Sequence, residues 1–513
     1  MEEEGFKNLY DIAAFQAQRQ GKRIALLEDN RKISFQALLE ASDRLAAYLL
    51  SKGIKKGDKV ALFLQNSSEY VYSVFAVSKI GAILVPVNTF LKDEELNYIL
   101  ENSGAKILLA SSDYAPIINR SHASEQCQFI LWEGKEGVDT DTHKYFANIK
   151  SSYPVEEMIQ SNWEDTAVLI YTSGTTGKPK GAMLSNKNIL SNVSAGIVLI
   201  MVMPKDRAIV FLPMFHVFTL TVGVLVPLSA GASIVIIRSV KPFGNIVKQV
   251  LLRRVTLFMA IPDVLNALSR AKLPWYFHAF HKVRVFVSGA STLPLRTLEN
   301  MRKKFKQSAV LEGYGLSEAS PAVSMNTIAF QKAGSVGKAI MCNEIKVVND
   351  DMEELPRREI GEIIVKGDNV MQGYLGHPKE SEKAIQNGWL LTGDLGYLDE
   401  DDFLFIVDRK KDLIISRGIN IYPKEIESVV VDFEGIANAA VIGIANENSG
   451  EIPILYIELD EDAKIDEKAL KAYMKEHLAN YKIPKQIHIM DALPRNATGK
   501  IVKRVLKERL LLK

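Results

Sequence analysis

Ala167-Val168-Leu169-Ile170-Tyr171-Thr172-Ser173-Gly174-Thr175-Thr176-Gly177-Lys178-Pro179-Lys180-Gly181 sets a short apolar run directly against a polar loop. The first five residues read as a buried strand. From Tyr171 to Gly181 there are three glycines, four aliphatic hydroxyls and two lysines. Such a loop offers backbone N–H groups at close approach, hydroxyl donors and positive charge, which is what cradling a polyphosphate requires. It is not a Walker loop: only Thr175 and Thr176 separate Gly174 from Gly177, where that motif needs four residues, and Pro179 stands where its Ser or Thr belongs. A plain surface turn has a similar composition, so the loop alone leaves both readings open.

Working outward, β-branched runs alternate with longer helical patterns. Ser233 to Ile237 and Val283 to Val287 read as buried strands, and Phe35 to Lys52 and Glu69 to Ile80 carry helical apolar spacing. Strands and helices in alternation predict an α/β fold, a large layered N-terminal domain of sheets flanked by helices. From about Gly361 the texture turns strand-rich, with Glu362 to Gly367 and Leu395 to Val407, the latter broken by a hairpin turn at Asp399 to Asp402. After the charged stretch Asp408 to Asp412 the pattern restarts as a small α+β unit. It has a helix opening at Pro423, strands at Ala439 to Ile444 and Ile454 to Leu459, and a helix from Glu467 to Leu478. The expected division is 1–410 and 411–513, with a β-rich subdomain closing the first part.

Composition narrows the class. The 513 residues are 47% hydrophobic and 24% charged, with a net charge of +2 and a pI near 8.2, so no global field argues for nucleic acid. Cys127 and Cys342 match no metal-ligand spacing and read as reduced thiols. The acidic start Met1-Glu2-Glu3-Glu4 is unlike a secretory signal. Val217 to Ile237 carries no charge and reaches membrane-spanning length, but Gly223, Pro227, Ser229 and Gly231 interrupt it. A buried helix followed by a core strand is the reading taken, and the expected location is the cytoplasm.

Several other residues could carry chemistry. Tyr314 in Gly313-Tyr314-Gly315-Leu316-Ser317-Glu318 could stack on a base, and Glu318 could bind Mg²⁺ or be merely solvated. Asp394 in Thr392-Gly393-Asp394 could accept both hydroxyls of a ribose or close a turn. His216 sits among apolar neighbours in Leu212 to Phe218, where a core histidine is the usual reading. Lys500 ends the polar loop Pro494 to Lys500. Lys500 to Lys513 holds six basic residues and one acidic, a solvated helix end or a contact with a membrane surface.

Taken in order along the chain, these motifs resemble the adenylate-forming superfamily, and within it bacterial medium- and long-chain fatty acid–CoA ligases (acyl-CoA synthetases). Leu212 to His216 and Glu312 to Pro321 point toward the latter. The resemblance implies an enzyme that uses ATP and Mg²⁺ to convert a fatty acid to acyl-AMP, releasing pyrophosphate, and then transfers the acyl group to coenzyme A. By resemblance, Thr172, Ser173, Gly174, Thr175, Thr176, Gly177, Lys178 and Lys180 would hold the β- and γ-phosphates, and Glu318 would bind Mg²⁺. Ser317 stands where relatives usually have threonine and keeps the hydroxyl. Tyr314, flanked by Gly313 and Gly315, would stack on adenine beside Gly289 and Ala290. Asp394 would take the ribose, with Arg409 nearby.

In the same way, His216 would line the carboxylate end of the acyl pocket and Lys500 would be the catalytic lysine between carboxylate and α-phosphate. Lys411 would be the hinge of a mobile C-terminal domain, and Gly418 would lie against the pantetheine arm. An aryl acid, or an acyl carrier protein as acceptor, is the alternative. Phe215-His216 lacks the aspartate that amino acid-activating relatives commonly place there. Chain length, oligomeric state and peripheral membrane contact stay open at this stage.

Overall fold

Helices begin where a serine supplies an oxygen to cap them. Ser34 accepts the Ala37 N–H at the head of Phe35–Ser51, and Ser67 accepts the Tyr70 N–H at the head of Ser68–Lys79. Ser185 and Asn188 form a reciprocal capping pair for Asn186–Ile200. The computed structural model describes residues 6–134, 143–149, 161–172, 178–239, 243–416, 419–446, 450–460, 463–495 and 501–511.

A nine-stranded sheet forms one layer. Its parallel centre runs Ala309–Gly315, Val285–Ser288, Leu257–Ala260, Arg207–Val210, Ser233–Ile236, Ile24–Glu28, with antiparallel strands at both edges. An eight-stranded sheet forms the second layer, parallel from Thr166–Thr172 through Ile83–Pro86, Lys59–Phe63, Ala105–Ser111 and Phe129–Glu133 to His143–Tyr145. The parallel strands are apolar on nearly every residue, as burial on both faces demands.

Between the sheets lies one continuous core that includes Leu26, Leu62, Val168, Leu184, Ile234 and Val287. The charge-free stretch fills it: Thr219–Leu225 forms a π-helical turn, runs into the short helix Val226–Ser229, and is buried at every one of its seven residues. The expected helix and strand are both present, and among the described residues no helix is long and apolar enough to cross a membrane. With no charge to solvate, the segment gains from burial against both sheets.

The strand-rich part is an antiparallel five-stranded sheet built from Asn343–Val348, Gly361–Gly367, Ile385–Gln386, Trp389–Leu398 and Leu404–Arg409. The residues from 414 onward form a second, smaller body with cores of their own, one around Ile414, Ile426, Val441 and Leu455, the other around Ala440, Ile454 and Leu506. The basic tail becomes the helix Lys503–Leu511, with Leu506 fully buried and Lys503 paired to Glu427 at 2.8 Å. It is therefore a packed element of this body.

Candidate active site

Register brings the glycine motifs together. Val285–Ser288 and Ala309–Gly315 are parallel neighbours with Ser288 opposite Glu312, so Gly289-Ala290 and Gly313-Tyr314 leave the sheet side by side at its carboxyl end. Ligands of open parallel sheets bind at this end. A Cβ on Gly289 would come within 3.2 Å of the Phe218 ring, so the glycine lets that ring lie against the backbone. Ala290 holds φ +73°, a left-handed conformation that is uncommon outside glycine, consistent with a constrained loop.

Asp394 is the convergence point. It is 5% exposed, faces Arg409 across the antiparallel pairing, and meets its Nε at 3.1 Å. The Tyr314 hydroxyl donates to its other carboxylate oxygen at 2.7 Å. Burial, reinforced by the Asp394 charge, raises the Tyr314 phenol well above its ordinary range, so it remains a protonated donor.

A second carboxylate stands by the hairpin. Thr172 and Lys180 are direct partners across Thr166–Thr172 and Lys180–Ser185, so the strand expected before the loop is paired antiparallel with the strand that follows it. The Tyr374 hydroxyl donates to Glu318 Oε1 at 3.0 Å and the Thr172 hydroxyl at 3.4 Å. Lys180 Nζ lies 5.6 Å from the Tyr374 ring centre, and Lys178 Nζ 5.0 Å from that of Tyr98. Ser317 opens the single turn Ser317–Ala319 that carries Glu318. Among the described residues no group of three or more His, Cys, Asp or Glu could hold a metal by itself. A lone carboxylate beside hydroxyls suits Mg²⁺, which takes one or two carboxylates and completes its shell with phosphate oxygens and water.

His216 lies two residues before Phe218, and its Nδ1 accepts the Phe218 N–H at 3.3 Å. Its ring is partly accessible, yet the surrounding protein strips enough water to lower its pKa to about 4, so the imidazole is neutral near pH 7. Lys411 sits in the turn Lys410–Asp412, with its ammonium pKa lowered by desolvation and by Arg409. Ser173 to Gly177, Gly418 and Lys500 lie outside the described residues.

The flanks of the last of these are in place. Arg495 and Ile501 pair with each other on either side of 496–500, and Arg495 reaches Asp263 at 2.5 Å and Glu458 at 3.4 Å. Asp263 begins the helix that follows Leu257–Ala260, the strand beside Val285–Ser288, so the smaller body meets the larger at the same carboxyl end. Arg270 pairs with Asp460, and Lys424 Nζ approaches the Thr292 hydroxyl at 3.5 Å.

Three residues at the site had drawn no attention from sequence, Tyr374, Tyr98 and Asp263, while Glu312 had entered only as the first residue of the motif Glu312 to Pro321. Glu312 accepts the Leu293 N–H at 2.8 Å, and burial pushes its pKa up to about 7 although that bond and Lys424 pull it down. No local spacing marks Tyr374, which reaches the site through a two-residue strand paired with Ala182 and Met183.

Residues 14–375 match the AMP-binding enzyme family, and 425–500 match the AMP-binding enzyme C-terminal domain. The chain belongs to this adenylate-forming family. It is 32% identical to the long-chain-fatty-acid–CoA ligase of Salmonella typhimurium over 98% of this chain and 94% of that one. An anthranilate CoA ligase solved with anthranoyl-AMP superposes with a TM-score of 0.91 at 25% identity, covering 98% of this chain and 97% of the other. The o-succinylbenzoate coenzyme A synthetase of Bacillus subtilis, solved with ATP and magnesium, superposes with a TM-score of 0.83 at 32% identity, covering 97% and 99%.

Two measurements test this geometry. Between pH 6.5 and about 4.5 the unfolded chain binds a proton at His216 that the folded chain refuses, so stability falls on acidification. The expected loss is about 2 kcal/mol more than in His216→Phe, read from urea unfolding across that window. Equal slopes would contradict a depressed imidazole. The Asp263–Arg495 contact predicts that Asp263→Arg speeds tryptic cleavage after Lys410 or Lys411. Adding Arg495→Asp to that variant is expected to restore resistance.

Proposed function

We propose that this adenylating acid–CoA ligase activates a medium- to long-chain fatty acid in the cytoplasm, where ATP and coenzyme A are supplied. An acid carboxylate oxygen attacks the α-phosphorus of ATP and pyrophosphate leaves. The coenzyme A thiol then gives up its proton, its sulfur attacks the acyl carbon, and AMP departs. The observation that carries the choice of acid is the apolar Phe218 ring against Gly289 beside a neutral His216, backed by the charge-free stretch 217–237. These surroundings suit an uncharged tail better than the second carboxylate of 2-succinylbenzoate.

The chain's own residues take the following parts. Thr172 to Lys180 grip the β- and γ-phosphates through N–H groups, hydroxyls and two ammonium charges. Asp394, oriented by Arg409, accepts the ribose hydroxyls, while Tyr314, flanked by Gly313 and Gly315, lies against adenine beside Gly289 and Ala290. Mg²⁺ held by Glu318 and phosphate oxygens would neutralise the triphosphate. Lys500 brings a point charge between carboxylate and α-phosphate, where two anions must meet. Division at Lys411 into 1–410 and 411–513 makes that residue the pivot by which the smaller body withdraws Lys500 and offers Gly418 to the pantetheine arm. Support for such a pivot comes from the separate cores of the smaller body and from the ion pairs at its contact with the larger one.

The test of substrate is AMP release across straight-chain acids, benzoate, anthranilate and 2-succinylbenzoate, with coenzyme A or an acyl carrier protein as acceptor. The expected kcat/KM rises about fourfold per methylene until the pocket fills. A maximum at an aryl acid would refute the fatty acid reading, and a preference for the carrier protein would change the acceptor. Half-reactions test the pivot: Lys500→Ala is expected to abolish acyl-AMP formation yet convert supplied acyl-AMP to thioester. Gly418→Leu should spare pyrophosphate exchange and block thioester formation.

A further inference from the structure

The helix Asp93–Ser103 belongs to none of the motifs that mark the site, yet it touches the stretch Thr172 to Lys180 near both of its ends. The helix is a firm element. The Glu95 side chain accepts the Lys92 N–H at 3.0 Å at its start, and Gly104 closes it at φ +64° with its N–H on the Leu100 carbonyl. Leu96, Ile99 and Leu100 are buried in one core with Phe63, Leu108 and Leu169. That core seats the helix against the strand Thr166–Thr172, to which Leu169 belongs. Tyr98 and Asn102 stand four residues apart and therefore share a face of it.

The Tyr98 hydroxyl donates to the Pro179 carbonyl at 3.0 Å, across 81 residues of chain. Its ring centre lies 5.0 Å from Lys178 Nζ, so one side chain meets two successive residues. Asn102 Oδ1 accepts the Tyr171 hydroxyl at 2.7 Å, and burial raises the pKa of that phenol, which keeps it a donor. Tyr171 is paired with Gly181 across the ladder, where a Cβ would come within 3.2 Å of Tyr171 Cζ and 2.8 Å of Leu169 Cδ1. The bare glycine leaves the tyrosine ring room to reach the helix. One helix face thus holds a residue on each side of 173–177.

We propose that Tyr98 and Asn102 are positioning residues for the triphosphate, a brace that holds Tyr171 and Pro179 so that the residues beside them meet the β- and γ-phosphates. The inference rests on the reading that Thr172 to Lys180 grip those phosphates. Successive residues of a strand point to opposite faces, so Tyr171 meets the helix on one face while Thr172 meets Glu318 on the other. The ladder pair Thr172–Lys180 fixes how far apart the two strands stand. The helix fixes which way they face, with Thr172 toward the carboxylate assigned to Mg²⁺. A stretch rich in glycine loses much freedom when it closes on a ligand. Contacts made within the fold take over part of that ordering cost, which leaves more of the interaction energy for binding.

Full-length protein is titrated in a calorimeter with Mg-ATP and, separately, with AMP, which has neither a β- nor a γ-phosphate. Tyr98→Phe and Asn102→Leu are each expected to weaken Mg-ATP binding about fivefold and to leave AMP binding unchanged. Tyr98→Leu, which also takes the ring from Lys178, should lose more than Tyr98→Phe. Tyr171→Phe combined with Asn102→Leu should lose no more than either alone, because both remove the same bond. Conversion of supplied acyl-AMP to thioester should keep its rate in all of these variants, which separates a lost brace from a damaged fold. Unchanged Mg-ATP affinity in either Tyr98→Phe or Asn102→Leu, or an equal loss for AMP, would overturn the brace. Lys180→Ala tells the two levels apart. If it too leaves Mg-ATP binding unchanged, the phosphate reading of the stretch fails; if it weakens Mg-ATP while the Tyr98 and Asn102 variants do not, the brace alone fails.

Discussion

A buried carboxylate joins parts of the chain that share no local sequence. Asp394 receives the Tyr314 hydroxyl from the end of the nine-stranded sheet and the Arg409 guanidinium from the last strand before the smaller body. An ionised group that is 5% exposed is tolerable only with such partners. Each charge-assisted bond is worth about 1.5–3 kcal/mol, enough to keep the sheet end and the strand-rich subdomain in a fixed relation. The floor formed by Gly289, Ala290, Gly313 and Tyr314 therefore has a wall at a constant place.

The contact between the two bodies has a different character. Each has its own apolar core, and what meets between them includes Arg495 with Asp263 and Arg270 with Asp460. Partly exposed ion pairs are worth about 0–1 kcal/mol each, so they can orient a contact without making it permanent. A chemistry of two successive steps at one centre benefits from that balance. Firm attachment inside each body and weak attachment between them allow rearrangement without unfolding either.

Much of the layout was legible in the sequence because it rests on local rules. The helix Phe35–Ser51 follows the apolar spacing of Phe35 to Lys52, Pro423–Val431 starts where Pro423 announces it, and Leu395 to Val407 does split at an acidic turn. The Thr172 to Lys180 loop was recognisable from composition, but the antiparallel pairing of the strands that flank it was not, because pairing depends on register with a later strand. Tyr374 and Asp263 escaped notice for the same reason. A tyrosine hydroxyl 56 residues from the carboxylate it meets leaves no periodic trace.

Sequence by itself determined the kinds of element, the two-part organisation and the motif residues, since periodicity, capping and glycine placement act over a few residues. Tertiary structure alone decided which oxygen faces which donor: Tyr314 and Arg409 on Asp394, Tyr374 and Thr172 on Glu318, Arg495 on Asp263. It also decided that Phe277 turns inward while Trp275 and Phe280 face water, although all three lie in one apolar hexapeptide. The physical reason is common to both. Burial and hydrogen-bond geometry are properties of the surroundings, and the surroundings of these residues come from strands and helices far away in the chain.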